Sequence, residues 1–178
     1  MKLKEQVAIV TGSGGGIGKE IAITFANEGA NVVITDYYDT LVEEVVTEIT
    51  EMERTAIGLT CDVSKLNQVQ AMVKKSIDHF GCIDILVNNA GGGGGDTIDG
   101  FLSGVSQDVV DAVIDINLKG CIYCTMEVIQ HMIKQRHGKI VNVASQAGRY
   151  ASEMAGPYYA AAKGGQLAFT RQMALKLG

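Results

Sequence analysis

Five short runs of β-branched and apolar residues recur along this 178-residue chain, each separated from the next by a stretch of helical periodicity, and that alternation admits few folds. The runs are Val7-Ala8-Ile9-Val10, Val32-Val33-Ile34-Thr35, Ala56-Ile57-Gly58-Leu59, Ile83-Asp84-Ile85-Leu86-Val87 and Lys139-Ile140-Val141-Asn142-Val143. Most lack strict polar alternation, which is the pattern of strands covered on both faces. Between them, Val42, Val45, Val46 and Ile49 form one helical stripe, and Val69, Met72, Val73, Ser76, Ile77 and Phe80 another. A longer helix is expected over about residues 106–135 and a last one over about 157–177. Strand, helix and strand in repeated order give an α/β fold, a doubly wound parallel sheet of the Rossmann type with helices on both faces, in three layers.

At 47% hydrophobic residues and without a Pro-, Ser- or charge-rich linker, the chain is expected to form a single domain over 1–178 around one substantial core. A net charge of -5 without Lys/Arg blocks argues against nucleic acid or an acidic membrane surface and favours small-molecule partners. The N-terminus shows no signal-peptide architecture and the chain no bilayer-length apolar run, so a cytoplasmic protein is expected. Cys61, Cys82, Cys121 and Cys124 read as reduced structural thiols, since only Cys121 and Cys124 are closely spaced and they fall in a helical stretch. No metal site is expected. His79, His131 and His137 lie near predicted helix ends, where solvated or capping roles suffice.

The first strand runs into Thr11-Gly12-Ser13-Gly14-Gly15-Gly16-Ile17-Gly18, which opens a helix. Glycines let a backbone approach a pyrophosphate, whose charge is met by the free N–H groups and dipole of the helix N-terminus. The spacing is G-x-x-x-G-x-G rather than G-x-G-x-x-G, because Ile17 occupies the fifth position after Gly12. No Lys-Ser/Thr follows Gly18, which disfavours a P-loop. Asp36 ends the second strand, where an acid can accept hydrogen bonds from ribose hydroxyls and repel a 2′-phosphate, so NAD is favoured over NADP. A turn or capping role for Asp36 is the alternative.

Tyr159-Ala160-Ala161-Ala162-Lys163 sets a phenol and an ammonium one helical turn apart on one face. A phenol ordinarily titrates near 10, and making it a neutral-pH acid/base by lowering that value about three units requires roughly 4 kcal/mol. One cation about 4 Å away supplies roughly that much at an effective dielectric of about 20. Tyr158 stands five residues from Lys163 and projects from a different sector of the helix.

Thr11-Gly12-x-x-x-Gly16-Ile17-Gly18, Asn88-Asn89-Ala90-Gly91, Asn117, and Ser145 with Tyr159-x-x-x-Lys163 together resemble the short-chain dehydrogenase/reductase family along the whole chain. The resemblance implies that Gly12, Gly14, Gly15, Gly16, Ile17 and Gly18 hold the cofactor phosphates, with Asp36 at the adenosine ribose. Asp62 and Val63 are implied at the adenine ring, and Asn88, Asn89, Ala90 and Gly91 beside the adenosine side and central sheet. It assigns Ser145 to polarising a substrate oxygen, Tyr159 to proton transfer, Lys163 to assisting the tyrosine and holding the nicotinamide ribose, and Asn117 to a water-linked proton relay. Without it, Asp62 reads as part of a helix N-cap, Asn117 as a buried helix polar group and Ser145 as a turn residue.

The implied activity is interconversion of a secondary alcohol and a ketone with NAD, in a homo-oligomer, commonly a tetramer, built through the long helix after Gln107 and the Tyr159 helix. Substrate identity is not written in these residues. A non-catalytic nucleotide-binding module is the alternative, as is a sugar-nucleotide epimerase or dehydratase, because the glycines also fit T-G-x-x-G-x-x-G. The run Gly91 to Gly95 and the segment through Gly104 read as a lengthened loop near the cofactor. The family continues through further strands and a substrate lid beyond the point reached here, so these 178 residues alone are expected to bind NAD weakly and turn over little. Strand 139–143 is then expected at a sheet edge.

Overall fold

A computed structural model describes residues 1–93 and 104–177. Five strands, β1 (Val7–Thr11), β2 (Asn31–Thr35), β3 (Ala56–Gly58), β4 (Ile85–Asn88) and β5 (Lys139–Asn142), form one parallel sheet in the order β3-β2-β1-β4-β5. The interleaved helices are α1 (Gly16–Asn27), α2 (Asp39–Glu51), α3 (Leu66–Phe80), α4 (Gln107–Ile114), α5 (Gly120–Gln135) and α6 (Pro157–Leu177).

Period-two alternation along the strands divides the core into two layers. Ala8, Val10, Val32, Ile34, Ile85 and Val87 pack on Ala22, Ala26, Val42, Val45 and Ile49 of α1 and α2. Their strand neighbours Ile9, Val33 and Leu86 face the other way, onto Val69, Met72 and Val73 of α3 and Cys124, Val128 and Met132 of α5. Both faces are covered, which is why the strands read as continuous apolar runs.

Three expectations are corrected in detail. The fourth strand starts at Ile85 rather than Ile83; Ile83 is buried ahead of it, while Asp84 accepts a hydrogen bond from Val7 N through its side chain, at 2.8 Å. The third strand stops at Gly58, although Leu59 N still donates to Ile34 O. The long helix is not uniform: α4 and α5 are joined through a π-helical segment, Asp115–Lys119, which carries Asn117. The final helix spans 157–177 as expected, opening with proline at its first position, where a missing N–H costs nothing.

Strand β5 pairs only with β4 among the described residues, and its outer side is half open, with Val141 49% exposed. Beside it runs a groove lined by Ile129, Met132, Ile133, Phe169 and Met173 of α5 and α6. The middle of the glycine-rich loop, 94–103, lies outside the described residues. Among the described residues no helix is long and apolar enough to cross a membrane.

Ile9, fully buried in the central strand, should lose about 2–5 kcal/mol of unfolding free energy on Ile9→Ala, read by urea denaturation. Met154→Ala, at a residue 88% exposed, should stay within about 0.5 kcal/mol of wild type.

Candidate active site

The strand order reverses direction at β1, so a crevice opens between the carboxyl ends of β1 and β4. Those ends are stitched together. Thr11 Oγ1 donates to Val87 O and accepts from Asn89 N and Ala90 N, both at 3.0 Å. Asn89 Nδ2 in turn donates to Thr11 O and Gly12 O, each at 3.0 Å. The Asn-Asn-Ala-Gly stretch therefore braces the glycine loop through the backbone, and Asn88 points the other way, donating to Thr125 Oγ1 and Asn142 Oδ1.

Within the loop, Ser13 is buried; its hydroxyl donates to Val10 O at 2.7 Å and accepts from Thr35 N. Gly18 is packed so closely that a Cβ would collide with Gly12 O and Asn89 Nδ2. Gly15, Gly16 and Ile17, in contrast, are exposed at the start of α1, and added Cβ atoms at Gly15 and Gly16 would meet nothing within 4 Å. The loop thus has a locked inner side and an open rim at a helix N-terminus, whose amides face outward.

Asp36 follows β2. Its Oδ2 accepts from Gly14 N at 3.1 Å and its Oδ1 from Tyr37 N at 2.8 Å, so it both holds the loop and shapes the turn into α2. Asp62 lies before α3, where Oδ1 accepts from Ser64 N at 2.9 Å. Val63 is 6% exposed and joins the α3/α5 core.

On the other side, Lys163 of α6 is 3% exposed. Its ammonium donates to Val143 O at 2.9 Å and to Gln166 Oε1 at 3.3 Å, and lies 5.7 Å from the centre of the Tyr159 ring. Burial pushes it below the usual lysine value. Asn117 is fully buried; Nδ2 donates to Gly92 O and Val113 O, and Oδ1 accepts from Gly92 N. A Cβ on Gly91 would sit 2.5 Å from Asn117 Oδ1 and 3.2 Å from Lys163 Nζ, so Gly91, Asn117 and Lys163 converge. Ser145, two residues beyond Val143, accepts from Ala147 N at 3.2 Å.

The expected residues therefore fall into two groups at the same sheet end: Gly12 to Gly18 with Asp36 and Asn89, and Gly91 with Asn117 and Lys163, beside Tyr159. The four cysteines are free, three of them buried, and no cluster of metal-ligating side chains occurs among the described residues. The Val143 carbonyl and Gln166 were not singled out by pattern, and Thr11 entered only as the first residue of the glycine-loop motif. The i+3 position of Gln166 relative to Lys163 puts the two on one helix face but does not by itself mark that face as interior.

Gly18→Ala should cost about 1–3 kcal/mol of stability through overpacking, whereas Gly15→Ala should be close to neutral; thermal unfolding of both reads the difference.

Comparison with known proteins bears on this arrangement directly. The family model for short chain dehydrogenases matches residues 6–178. The (2S)-[(R)-hydroxy(phenyl)methyl]succinyl-CoA dehydrogenase subunit BbsD of Thauera aromatica is 40% identical over 178 residues, covering all of this chain and 69% of its own length. A 7α-hydroxysteroid dehydrogenase complexed with NADH and 7-oxo glycochenodeoxycholic acid superposes with a TM-score of 0.91 at 34% identity, covering 99% of this chain and 67% of that one. An NAD+-bound xylitol dehydrogenase gives 0.92 at 32% identity, covering 99% and 66%. With its five-stranded parallel sheet, its braced glycine loop and this degree of similarity, the chain belongs to the short-chain dehydrogenase family.

Proposed function

We propose that the chain binds NAD(H) and interconverts a secondary alcohol and a ketone, with Tyr159 exchanging the proton. The observation that carries this reading is the buried ammonium of Lys163 beside the Tyr159 ring, at the sheet end that also carries the glycine loop.

The residues fit a dinucleotide. The exposed rim of Gly15 and Gly16 at the N-terminus of α1 suits a pyrophosphate, and the NADH and NAD+ complexes of the two structural relatives support that use. Asp36 keeps acceptor capacity for ribose hydroxyls beyond that used by Gly14 N, Tyr37 N and Tyr38 N, and its charge disfavours a 2′-phosphate. Asp62 and Val63 stand at the edge suited to the adenine. When bound, the nicotinamide takes up or supplies the hydride.

The chain's own residues then handle position and protons. Ser145 accepts from Ala147 N and so keeps its own hydroxyl proton to donate to a substrate oxygen. Tyr159 removes the alcohol proton during oxidation and returns it during reduction. The charge on Lys163 stabilises the phenolate form of Tyr159, which exists before the alcohol proton is taken up in oxidation and again after that proton has been given to the ketone oxygen in reduction. Asn117 spends its amide on Gly92 and Val113, which makes it a brace for the segment beside Lys163; a relay through its side chain would have to displace those bonds.

Tyr159→Phe should lower kcat by at least about 10²-fold while leaving the NAD Kd within about twofold, checked by NADH absorbance and calorimetry. NAD should bind at least about tenfold more tightly than NADP, a difference of about 1.4 kcal/mol, and Asp36→Ala should erase most of it.

A further inference from the structure

We propose that Gln166, a residue 1% exposed, is a positioning residue for Lys163: its side-chain oxygen, 3.3 Å from Nζ, holds the ammonium charged and aimed at the cleft without cancelling its charge. The proposal rests on the reading of Lys163 and Tyr159 given above and adds a residue outside the Tyr-x-x-x-Lys pattern.

An ammonium has three N–H directions. The Val143 carbonyl takes one and Gln166 Oε1 a second, which leaves the third for the Tyr159 side. Both acceptors are neutral. Gln166 is itself held, because its backbone carbonyl accepts from Thr170 Oγ1 at 2.7 Å and Thr170 Oγ1 accepts from Asn142 Nδ2 at 2.8 Å.

The titratable groups facing Lys163 are Tyr159 from its own helix and Cys121 from α5. Burial pushes the Cys121 thiol up, so it stays neutral and supplies no counter-charge. Removing the Gln166 oxygen therefore leaves an ammonium buried with one fewer acceptor, which favours losing its proton. Replacing the amide by a carboxylate does the reverse to Lys163 but cancels the charge that the phenolic oxygen needs.

The two variants thus move Lys163 in opposite directions and turnover in the same one. Gln166→Met keeps the length and removes the acceptor; Gln166→Glu keeps the acceptor and adds charge. The Lys163 13Cε signal, assigned by its loss in Lys163→Met, is titrated in the cofactor-free chain, and kcat/KM is measured in parallel with NAD and a panel of secondary alcohols. The Lys163 midpoint should fall by about one pH unit in Gln166→Met and rise by a similar amount in Gln166→Glu, with kcat/KM down about tenfold in both. An unmoved midpoint in both variants, or shifts of the same sign with only a lower Tm, overturns the proposal. If Gln166→Met does not fold, a Gln166→Glu midpoint that fails to rise overturns it alone. Opposed midpoints in the two variants, with no turnover even in the wild-type chain, uphold the hold on Lys163 and defeat the catalytic reading instead.

Discussion

The ammonium of Lys163 is 3% exposed, and among the described residues no salt bridge reaches it. A buried charge of that kind persists only if surrounding dipoles replace the water it has lost. Here the replacements are a carbonyl at the end of β5 and a side-chain amide one turn along α6. Using neutral acceptors has a consequence: the positive charge is stabilised but not cancelled, 5.7 Å from the centre of the Tyr159 ring. A carboxylate in either place would stabilise the lysine better and serve the phenol worse.

The sheet provides the means of holding α6 over that point. Asn88 at the end of β4 donates to Asn142 at the end of β5, and Asn142 donates to Thr170 of α6. This polar ladder fixes the helix relative to the strand ends, so the Val143 carbonyl arrives under Lys163. From the other side, Asn117 clamps Gly92 by donating to its carbonyl and accepting from its N–H. The π-helical turn around Asn117 widens the helix where that clamp is made, as such turns do at sites where a side chain must be redirected. Gly91 then passes between Asn117 and Lys163, where a side chain would have no room.

Much of this was legible in the sequence. The strand runs and the two amphipathic stripes are consequences of period two and period 3.6 that no other fold class satisfies as simply, and Pro157 marks the start of α6 within the chain itself. The glycine cluster and the Tyr159–Lys163 spacing identify the two ends of the crevice because each is a local pattern. The π turn was not legible: Asp115-Ile116-Asn117-Leu118-Lys119 contains neither glycine nor proline, and its geometry answers to Gly92, 25 residues away. Gln166 was equally hidden. A polar residue three positions after a lysine reads as a solvated helix face, and only the packing of α6 shows that this face is interior. Asp36 carried two readings, and the structure realises the turn role while also joining it to the glycine loop.

The proposed chemistry rests on the charge of Lys163 assisting proton exchange by Tyr159. Rapid-mixing measurement of hydride transfer in Lys163→Met, at saturating NAD and across pH, tests it most directly. The account predicts a loss of about a thousandfold at neutral pH that is partly recovered as pH approaches about 10, where an unassisted phenol ionises. A variant that transfers hydride at the wild-type rate, with the wild-type pH dependence, would contradict it.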